Sequence, residues 1–155
     1  MTQKTLRYLE DYPIGSSEEY GEIVVTADEI RDFAAQWDPQ PFHLGDGGGP
    51  DGPYGGLIAS GWHTSALVMR LLVERYLSAE ASLGSAGLDE IRWPYPVRPG
   101  DTLRARATVV ESRRSLSKPD RGIIKTAVEA VNQDGRTVMR ATAINFMRVR
   151  PAPGT

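Results

Sequence analysis

The chain contains two histidines, and one of them follows an aspartate at a spacing that suits acid–base chemistry. Asp38 and His43 bound the run Asp-Pro-Gln-Pro-Phe-His. Two prolines restrict the backbone between them, so a carboxylate and an imidazole that both contact one water are sterically plausible. Imidazole titrates near neutral pH and can move a proton. On spacing alone, a helix end followed by a solvated loop is the better interpretation, so the pair is a hypothesis.

A second candidate is Gly61, which lies in the run Gly-Gly-Leu-Ile-Ala-Ser-Gly-Trp-His at the opening of a long apolar segment. Unpaired amides at the start of a helix can bind a carbonyl oxygen and stabilise an enolate, and the helix dipole favours this. The alternative is that Gly61 only allows the helix to pack closely against a sheet.

The elements before this point are a strand and a short helix. Residues 19–25 read as a strand, and Thr26 and Glu29 form a capping box that starts a helix. Pro39 ends the helix because its ring disfavours helical geometry at the preceding residue. Asp38 is therefore predicted at a helix exit.

Residues 39–56 are rich in Gly and Pro, which predicts an irregular, ligand-lining loop that holds His43. Residues 57–77 predict a long helix that is apolar nearly all round and therefore buried. Trp62 and Met69 lie on one stripe of this helix, and we interpret them as core because aromatic and Met residues at helical spacing usually pack. His63, in the same helix, is either a pocket-lining donor or a polar side chain satisfied by the neighbouring chain or subunit.

A run of strands follows the helix. After a small-residue linker at residues 79–87, alternating patterns predict strands at 91–97, 103–109, 122–131 and 137–149. We expect these four to form a meander. Because helices and strands are segregated along the chain, the fold class is α+β, with an antiparallel sheet wrapped around a long central helix.

Composition narrows the class of protein. A length of 155 residues fits one domain, and the absence of Cys excludes a disulfide framework and a thiolate metal site. The formal net charge is −2, without a basic stripe for nucleic acid. No segment has the roughly 18 apolar residues of a membrane span. We expect a cytoplasmic protein with neither nucleic-acid nor membrane partners.

Three motifs then carry a family resemblance. The run from Asp38 to His43 resembles the D-x-N-P-x-H signature of MaoC-like and (R)-specific enoyl-CoA hydratases, residues 56–61 resemble their helix entry, and residues 97–103 resemble their P-V-R-P-G-D-T-L turn. The resemblance implies one hot-dog domain over residues 1–155. Residues 20–148 would be the matching core, 1–18 an N-terminal extension and 151–155 a flexible tail.

The resemblance also implies an activity. Asp38 and His43 would activate a water that adds to a trans-2-enoyl thioester, or run the reverse dehydration of an (R)-3-hydroxyacyl thioester, while the Gly61 amide binds the thioester oxygen. No metal and no redox cofactor is implied, and coenzyme A or acyl carrier protein is the handle of the substrate. At least a homodimer is implied, or a dimer of dimers. The residues expected to bind substrate are Gln40, Phe42, Ile58, Ser60 and Trp62.

Two residues depart from the family pattern, since Gln40 stands for the usual Asn and Ser60 for a frequent His. Two alternatives therefore remain: a hot-dog thioesterase, which generally uses a carboxylate without a partnered His, and a non-catalytic subunit that binds acyl thioesters.

A basic cluster between two predicted strands is either a solvated hairpin or a site for coenzyme A phosphates. Its members are Arg113, Arg114, Lys118 and Arg121.

Overall fold

In the computed structural model, which describes residues 6–45 and 52–154, an antiparallel sheet curves around one long helix, as the sequence predicts. The elements are a 3-10 turn at Leu9–Asp11, β1 (Ser17–Val24), α1 (Ala27–Trp37), α2 (Pro41–Leu44), α3 (Gly61–Arg75), β2 (Ser82–Arg92), β3 (Thr102–Arg114), β4 (Arg121–Val131) and β5 (Thr137–Arg148). The strand order in the sheet is β1-β3-β4-β5-β2.

The predicted four-strand meander is wrong, because only β3, β4 and β5 are consecutive neighbours in the sheet. The strand before them, β2, pairs with β5 at the far edge. The strand predicted at 91–97 is also wrong, since β2 ends at Arg92 and is built mainly from the supposed linker. Pro94 and Pro96 follow Arg92 and have no N–H for the ladder. Positive φ angles at Gly84 and Gly87 and repeated register shifts obscure the strand pattern in the sequence.

The core lies between the inner face of the sheet and α3. Along β4, residues alternate between buried and half-buried positions, as expected for a strand with one face on the core. From α3, Val68, Leu71 and Leu72 are buried against the sheet. The sheet therefore covers one face of α3.

The prediction that α3 is buried all round is wrong. Trp62, Ala66, Met69 and Val73 lie at helical spacing and form an exposed face. The helix also begins later than predicted, at Gly61. The residues before it are extended, because the Ile58 N–H donates to Phe42 and the Ala59 N–H donates to Val97. Among the described residues, no helix combines the length and apolarity that a bilayer crossing requires.

The segment before β1 closes one end of the core. Leu9 and Tyr12 are buried, and the Tyr12 hydroxyl donates to the carbonyl of Tyr76 at 2.6 Å. The Tyr76 hydroxyl in turn bonds the Thr126 hydroxyl on β4 at 2.8 Å. The guanidinium of Arg7 lies 4.2 Å from the centre of the Tyr12 ring. Residues expected to be an extension thus contribute to the packing around the C-terminal end of α3.

The outer face of the sheet carries a row of alternating charges. Glu19 on β1 is opposite Arg106 on β3, Arg106 is opposite Glu129 on β4, and Glu129 is opposite Arg140 on β5. Arg106 and Glu19 form an ion pair. Opposite charges in directly facing positions favour this pairing of the strands.

Gly122 is a position at which the close packing of this sheet can be tested. A Cβ there would lie 2.3 Å from the carbonyl oxygen of Arg113 and 2.5 Å from Cδ2 of Leu9. We expect Gly122→Ala to lower the free energy of unfolding by about 1–3 kcal/mol, because a backbone oxygen cannot move aside. Urea unfolding measures this, with the fully exposed Leu116 providing a control, Leu116→Ala, expected to stay within about 0.5 kcal/mol. Equal stability of Gly122→Ala and wild type would contradict the packing described.

Candidate active site

Two helix boundaries place Asp38 and His43 next to each other. The Thr26 hydroxyl accepts a hydrogen bond from the Glu29 N–H and starts α1, as predicted. The helix ends at Asp38, whose N–H still donates to Ala34. His43 belongs to the one-turn helix α2, so the prediction that residues 39–56 are irregular throughout is wrong. Pro41 is the first residue of α2, a position where its missing N–H costs nothing.

The His43 ring is buried, and its orientation is fixed by a backbone carbonyl. Nδ1 lies 2.8 Å from the carbonyl oxygen of Ile58. A carbonyl oxygen can only accept, so Nδ1 carries the hydrogen. In the neutral ring Nε2 then has the free lone pair, and it lies 3.3 Å from Oδ2 of Asp38. A base and a carboxylate thus face each other.

The Asp38 carboxylate has a donor on each oxygen. The Gln40 amide donates to Oδ1 at 2.6 Å, and the Ser60 hydroxyl donates to Oδ2 at 2.7 Å. Burial by itself raises the pKa of Asp38, but these two hydrogen bonds and the nearby His43 outweigh it and leave the pKa below its usual value. The carboxylate is therefore ionised at neutral pH.

Gly61 begins α3 beside this pair, and its N–H is one of the amides that a helix leaves without an internal acceptor. An aromatic ring covers the glycine, because a Cβ at Gly61 would lie 2.4 Å from Cδ2 of Trp93. The Trp93 indole N–H donates to Ser65, whose hydroxyl donates to the carbonyl of Gly61. Only glycine lets the indole lie this close to the helix start.

The five residues expected to bind substrate divide into two groups. Ile58, Ser60 and Gln40 bond the dyad itself, and both Ile58 and Ser60 are buried. Phe42 is half-buried, with its ring 4.6 Å from that of His43, and Trp62 is 59% exposed. The interpretation of Trp62 as core is therefore wrong, and Phe42 and Trp62 are the two aromatic members of the five that present side-chain surface.

Two aromatic residues near the site were missed by the sequence analysis as site residues. Trp93 lies over Gly61 and edge-on to Trp62, with ring centres 5.1 Å apart. The Tyr54 ring lies 5.3 Å from that of Phe42, and Arg98 bonds the Tyr54 carbonyl. Trp93 comes from a segment far from Asp38 in sequence, whereas Tyr54 lies in the predicted ligand-lining loop but had no spacing signal of its own.

The basic hairpin lies at the other end of the sheet. Arg114 faces Gly122 at one end of β3, whereas α1 and the dyad follow the connection near Thr102, at the opposite end. Arg113 and Arg121 are already paired with Glu111 and Asp120 of the same hairpin. An open cavity of about 380 Å³ adjoins them. A role with coenzyme A phosphates stays a prediction.

His63 is buried in the first turn of α3, and its ring stacks on Phe33 of α1 at 4.9 Å. Within the described part of the chain its Nδ1 has no hydrogen-bond partner, and a bond to a neighbouring subunit stays a prediction. Burial lowers the pKa of His63, and Glu29 partly opposes that effect.

An antiparallel five-stranded sheet around a central helix defines a hot-dog fold, and the Asp–His pair lies at the entry of that helix. A sequence model of the family described as MaoC like domain matches residues 12–146. The chain belongs to this MaoC-like dehydratase family.

Relatives agree with this assignment. The crystal structure of a MaoC-like dehydratase from Rhodospirillum rubrum is 41% identical, with a TM-score of 0.86 over 94% of this chain and 99% of that one. The 3-hydroxyacyl-thioester dehydratase Z of Mycobacterium tuberculosis is 31% identical over 112 residues, 69% of this chain and 74% of its own. The R-hydratase PhaJ1 of Pseudomonas aeruginosa shares the fold, with 23% identity and a TM-score of 0.73 over 93% of this chain and 86% of that one.

Because the pKa of His63 is lowered in the folded chain, acid should weaken folding through this residue. At pH values below about 6.5, the ordinary pKa of histidine, His63 binds a proton in the unfolded state but stays neutral in the native state until the pH falls further. The free energy of unfolding therefore falls as the pH falls through this range. His63→Phe keeps an aromatic ring against Phe33 and should make the free energy of unfolding less dependent on pH. Urea unfolding at pH 7.5 and 5.5 checks this. An unchanged pH dependence in the variant would count against the burial of a neutral His63.

Proposed function

We propose that the chain is a hydro-lyase that adds water to a trans-2-enoyl thioester of coenzyme A, or removes it from the (R)-3-hydroxyacyl product. The observation that carries this proposal is the orientation of His43. The bond from Nδ1 to the Ile58 carbonyl leaves the lone pair of Nε2 facing Asp38 at 3.3 Å. A water in contact with both side chains could donate one hydrogen bond to Nε2 of His43 and one to the Asp38 carboxylate.

The proposed reaction is redox-neutral and consists of the formation of one carbon–oxygen bond and two proton transfers. The water oxygen bonds to C3 of the enoyl group while one of its protons passes to Nε2 of His43. The ionised Asp38 carboxylate orients the water and stabilises the imidazolium that forms. His43 then delivers a proton to C2, which regenerates the neutral ring and completes the alcohol. Neither a metal nor a redox cofactor enters these steps.

In this proposal the start of α3 stabilises the intermediate charge. As the bond to C3 forms, negative charge moves to the thioester oxygen. The Gly61 N–H and the positive end of the helix dipole would bind that oxygen. Trp93 and Ser65 support the position of Gly61, since they contact its Cα side and its carbonyl. Phe42 and Trp62 would contact the acyl group or the thioester arm.

The choice of a hydro-lyase over a thioesterase rests on His43. Hydrolysis of the thioester needs a carboxylate and water at the carbonyl carbon, without a second base, whereas here a buried imidazole faces the carboxylate. The name of the 31% identical 3-hydroxyacyl-thioester dehydratase is consistent with this choice. A non-catalytic subunit would not need the carboxylate and the ring held at contact distance.

The first experiment follows the ultraviolet absorbance of crotonyl-CoA and longer trans-2-enoyl-CoAs after the protein is added, with free thiol and product chirality measured in parallel. Loss of the enoyl signal without thiol release, giving the (R)-alcohol, supports the proposal. Thiol release at a matching rate indicates a thioesterase. Ligand binding without turnover of any chain length indicates the binding subunit.

The dyad variants test the assigned roles. Asp38→Asn and His43→Ala should each lower kcat by roughly 10²–10⁴-fold, because both residues act on the same water. For the same reason the double variant should lose little more than the worse single one. Asp32→Asn, an exposed carboxylate on α1, provides the matched control. Circular dichroism checks folding, and near-wild-type turnover by either folded single variant would refute the assignment.

We further propose that the exposed face of α3 is covered by a second copy of the chain. Trp62, Met69 and Val73 expose between 44% and 59% of their surface on one helix face. Trp93, whose ring lies edge-on to Trp62, continues this apolar surface from the end of β2, an edge strand that has a neighbour only on its β5 side in the described residues. An edge strand and a contiguous apolar surface both favour association. A two-fold copy would bury both together and border the site at Trp62.

A charge on this face should dissociate the dimer. Met69→Glu should give the mass of a monomer in light scattering, because a carboxylate would be buried against the partner. Val110, 47% exposed on β3 and away from α3, provides a matched control through Val110→Glu. If Met69→Glu and the wild type had the same mass in light scattering, whether both were dimers or both were monomers, this face would not be the interface.

A further inference from the structure

The residue before α3 does not do what its type and place predict. Ser60 occupies the N-cap position, where a serine hydroxyl normally accepts a hydrogen bond from an N–H of the first helical turn. Here its side chain makes no such bond. The hydroxyl instead donates to Oδ2 of Asp38 at 2.7 Å, although the two residues are 22 positions apart. Ser60 thus bonds the carboxylate of the Asp38–His43 pair in place of capping α3.

This bond differs in kind from the other one to the carboxylate. Gln40 is exposed, so water can replace its amide at Oδ1. Ser60 is fully buried, with 0% of its surface exposed, and water has no access to take its place. The oxygen that Ser60 holds is also the one that lies 3.3 Å from Nε2 of His43. The Ser60 hydroxyl therefore sets the carboxylate orientation that matters for the imidazole.

The same choice affects the helix start. In the rotamer that donates to Asp38, the Ser60 hydroxyl accepts no hydrogen bond from the amides of the first turn of α3. Those amides, beginning with Gly61, stay available to an anionic oxygen. One side-chain rotamer thus serves two groups of the site, the carboxylate and the amides.

We propose that Ser60 is a positioning residue whose hydroxyl, diverted from capping α3, aligns Oδ2 of Asp38 with the His43 ring and leaves the first amides of the helix free for the substrate oxygen. The second half of this inference rests on the proposed hydro-lyase activity. The first half concerns only the carboxylate and stands without it.

The test is Ser60→Ala, which removes the hydroxyl and leaves a smaller side chain. For a bond to a charged group, kcat/KM should fall by about 10- to 100-fold, mainly through kcat. Loss of a donor to the carboxylate raises the pKa of Asp38, so the acid limb of the kcat/KM profile should move to higher pH. Ser60→Thr retains a hydroxyl at the same place and should recover the wild-type profile.

Ser78 provides the matched control. It is equally buried, and its hydroxyl bonds the backbone of Arg7, away from the dyad. Ser78→Ala should lose thermal stability but keep the wild-type acid limb. A purely structural role of Ser60 would make the two alanine variants behave alike, with lower stability and an unmoved pH profile.

A measurement without substrate separates this inference from the proposed function. The carboxyl carbon of Asp38, labelled with ¹³C and assigned by its loss in Asp38→Asn, reports the ionisation directly by NMR. A higher titration midpoint in Ser60→Ala supports the positioning role even if no enoyl thioester is turned over. The missing turnover would then reject only the hydro-lyase activity. An unchanged midpoint in the folded variant overturns the inference.

Discussion

A carboxylate that is largely withdrawn from water must receive hydrogen bonds from the protein, and this requirement organises the site around Asp38. Its donors come from Gln40, two residues later, and from Ser60, at the start of α3. The imidazole at 3.3 Å comes from α2, and the carbonyl of Ile58 fixes that ring in turn. Three segments therefore have to converge, and the positions of α1, α2 and α3 relative to the sheet follow from that convergence.

This requirement also explains the two departures from the family pattern. Gln40 and Ser60 replace other polar residues, and both donate to the carboxylate. A longer amide at position 40 reaches Oδ1, and a short hydroxyl at position 60 fits a place with no solvent access. In this chain, therefore, both substituted positions provide the donors that the carboxylate needs. This weakens the case for an inactive binding subunit.

Signals confined to a few neighbouring residues predicted much of the structure. The Thr26 cap and the helix exit at Asp38 follow from local chemistry, and each is present. The proximity of Asp38 and His43 was also predicted. The position of β2 was not, because a glycine-containing, bulged edge strand lacks alternation and its neighbour β5 comes 45 residues later. Sequence spacing also could not predict the contact of Trp93 with Gly61, because that contact depends on the path of the chain after β2.

The row of charges on the outer face of the sheet has a consequence for the surface of the molecule. Arg106, Glu129 and Arg140 alternate in sign at directly facing positions, so each is neutralised by neighbours and keeps water around it. Stacking another sheet on this side would strip that water without providing new partners for the charges. The outer side therefore resists burial, whereas the proposed dimer interface lies on the side of the molecule where apolar residues of α3 and β2 are exposed.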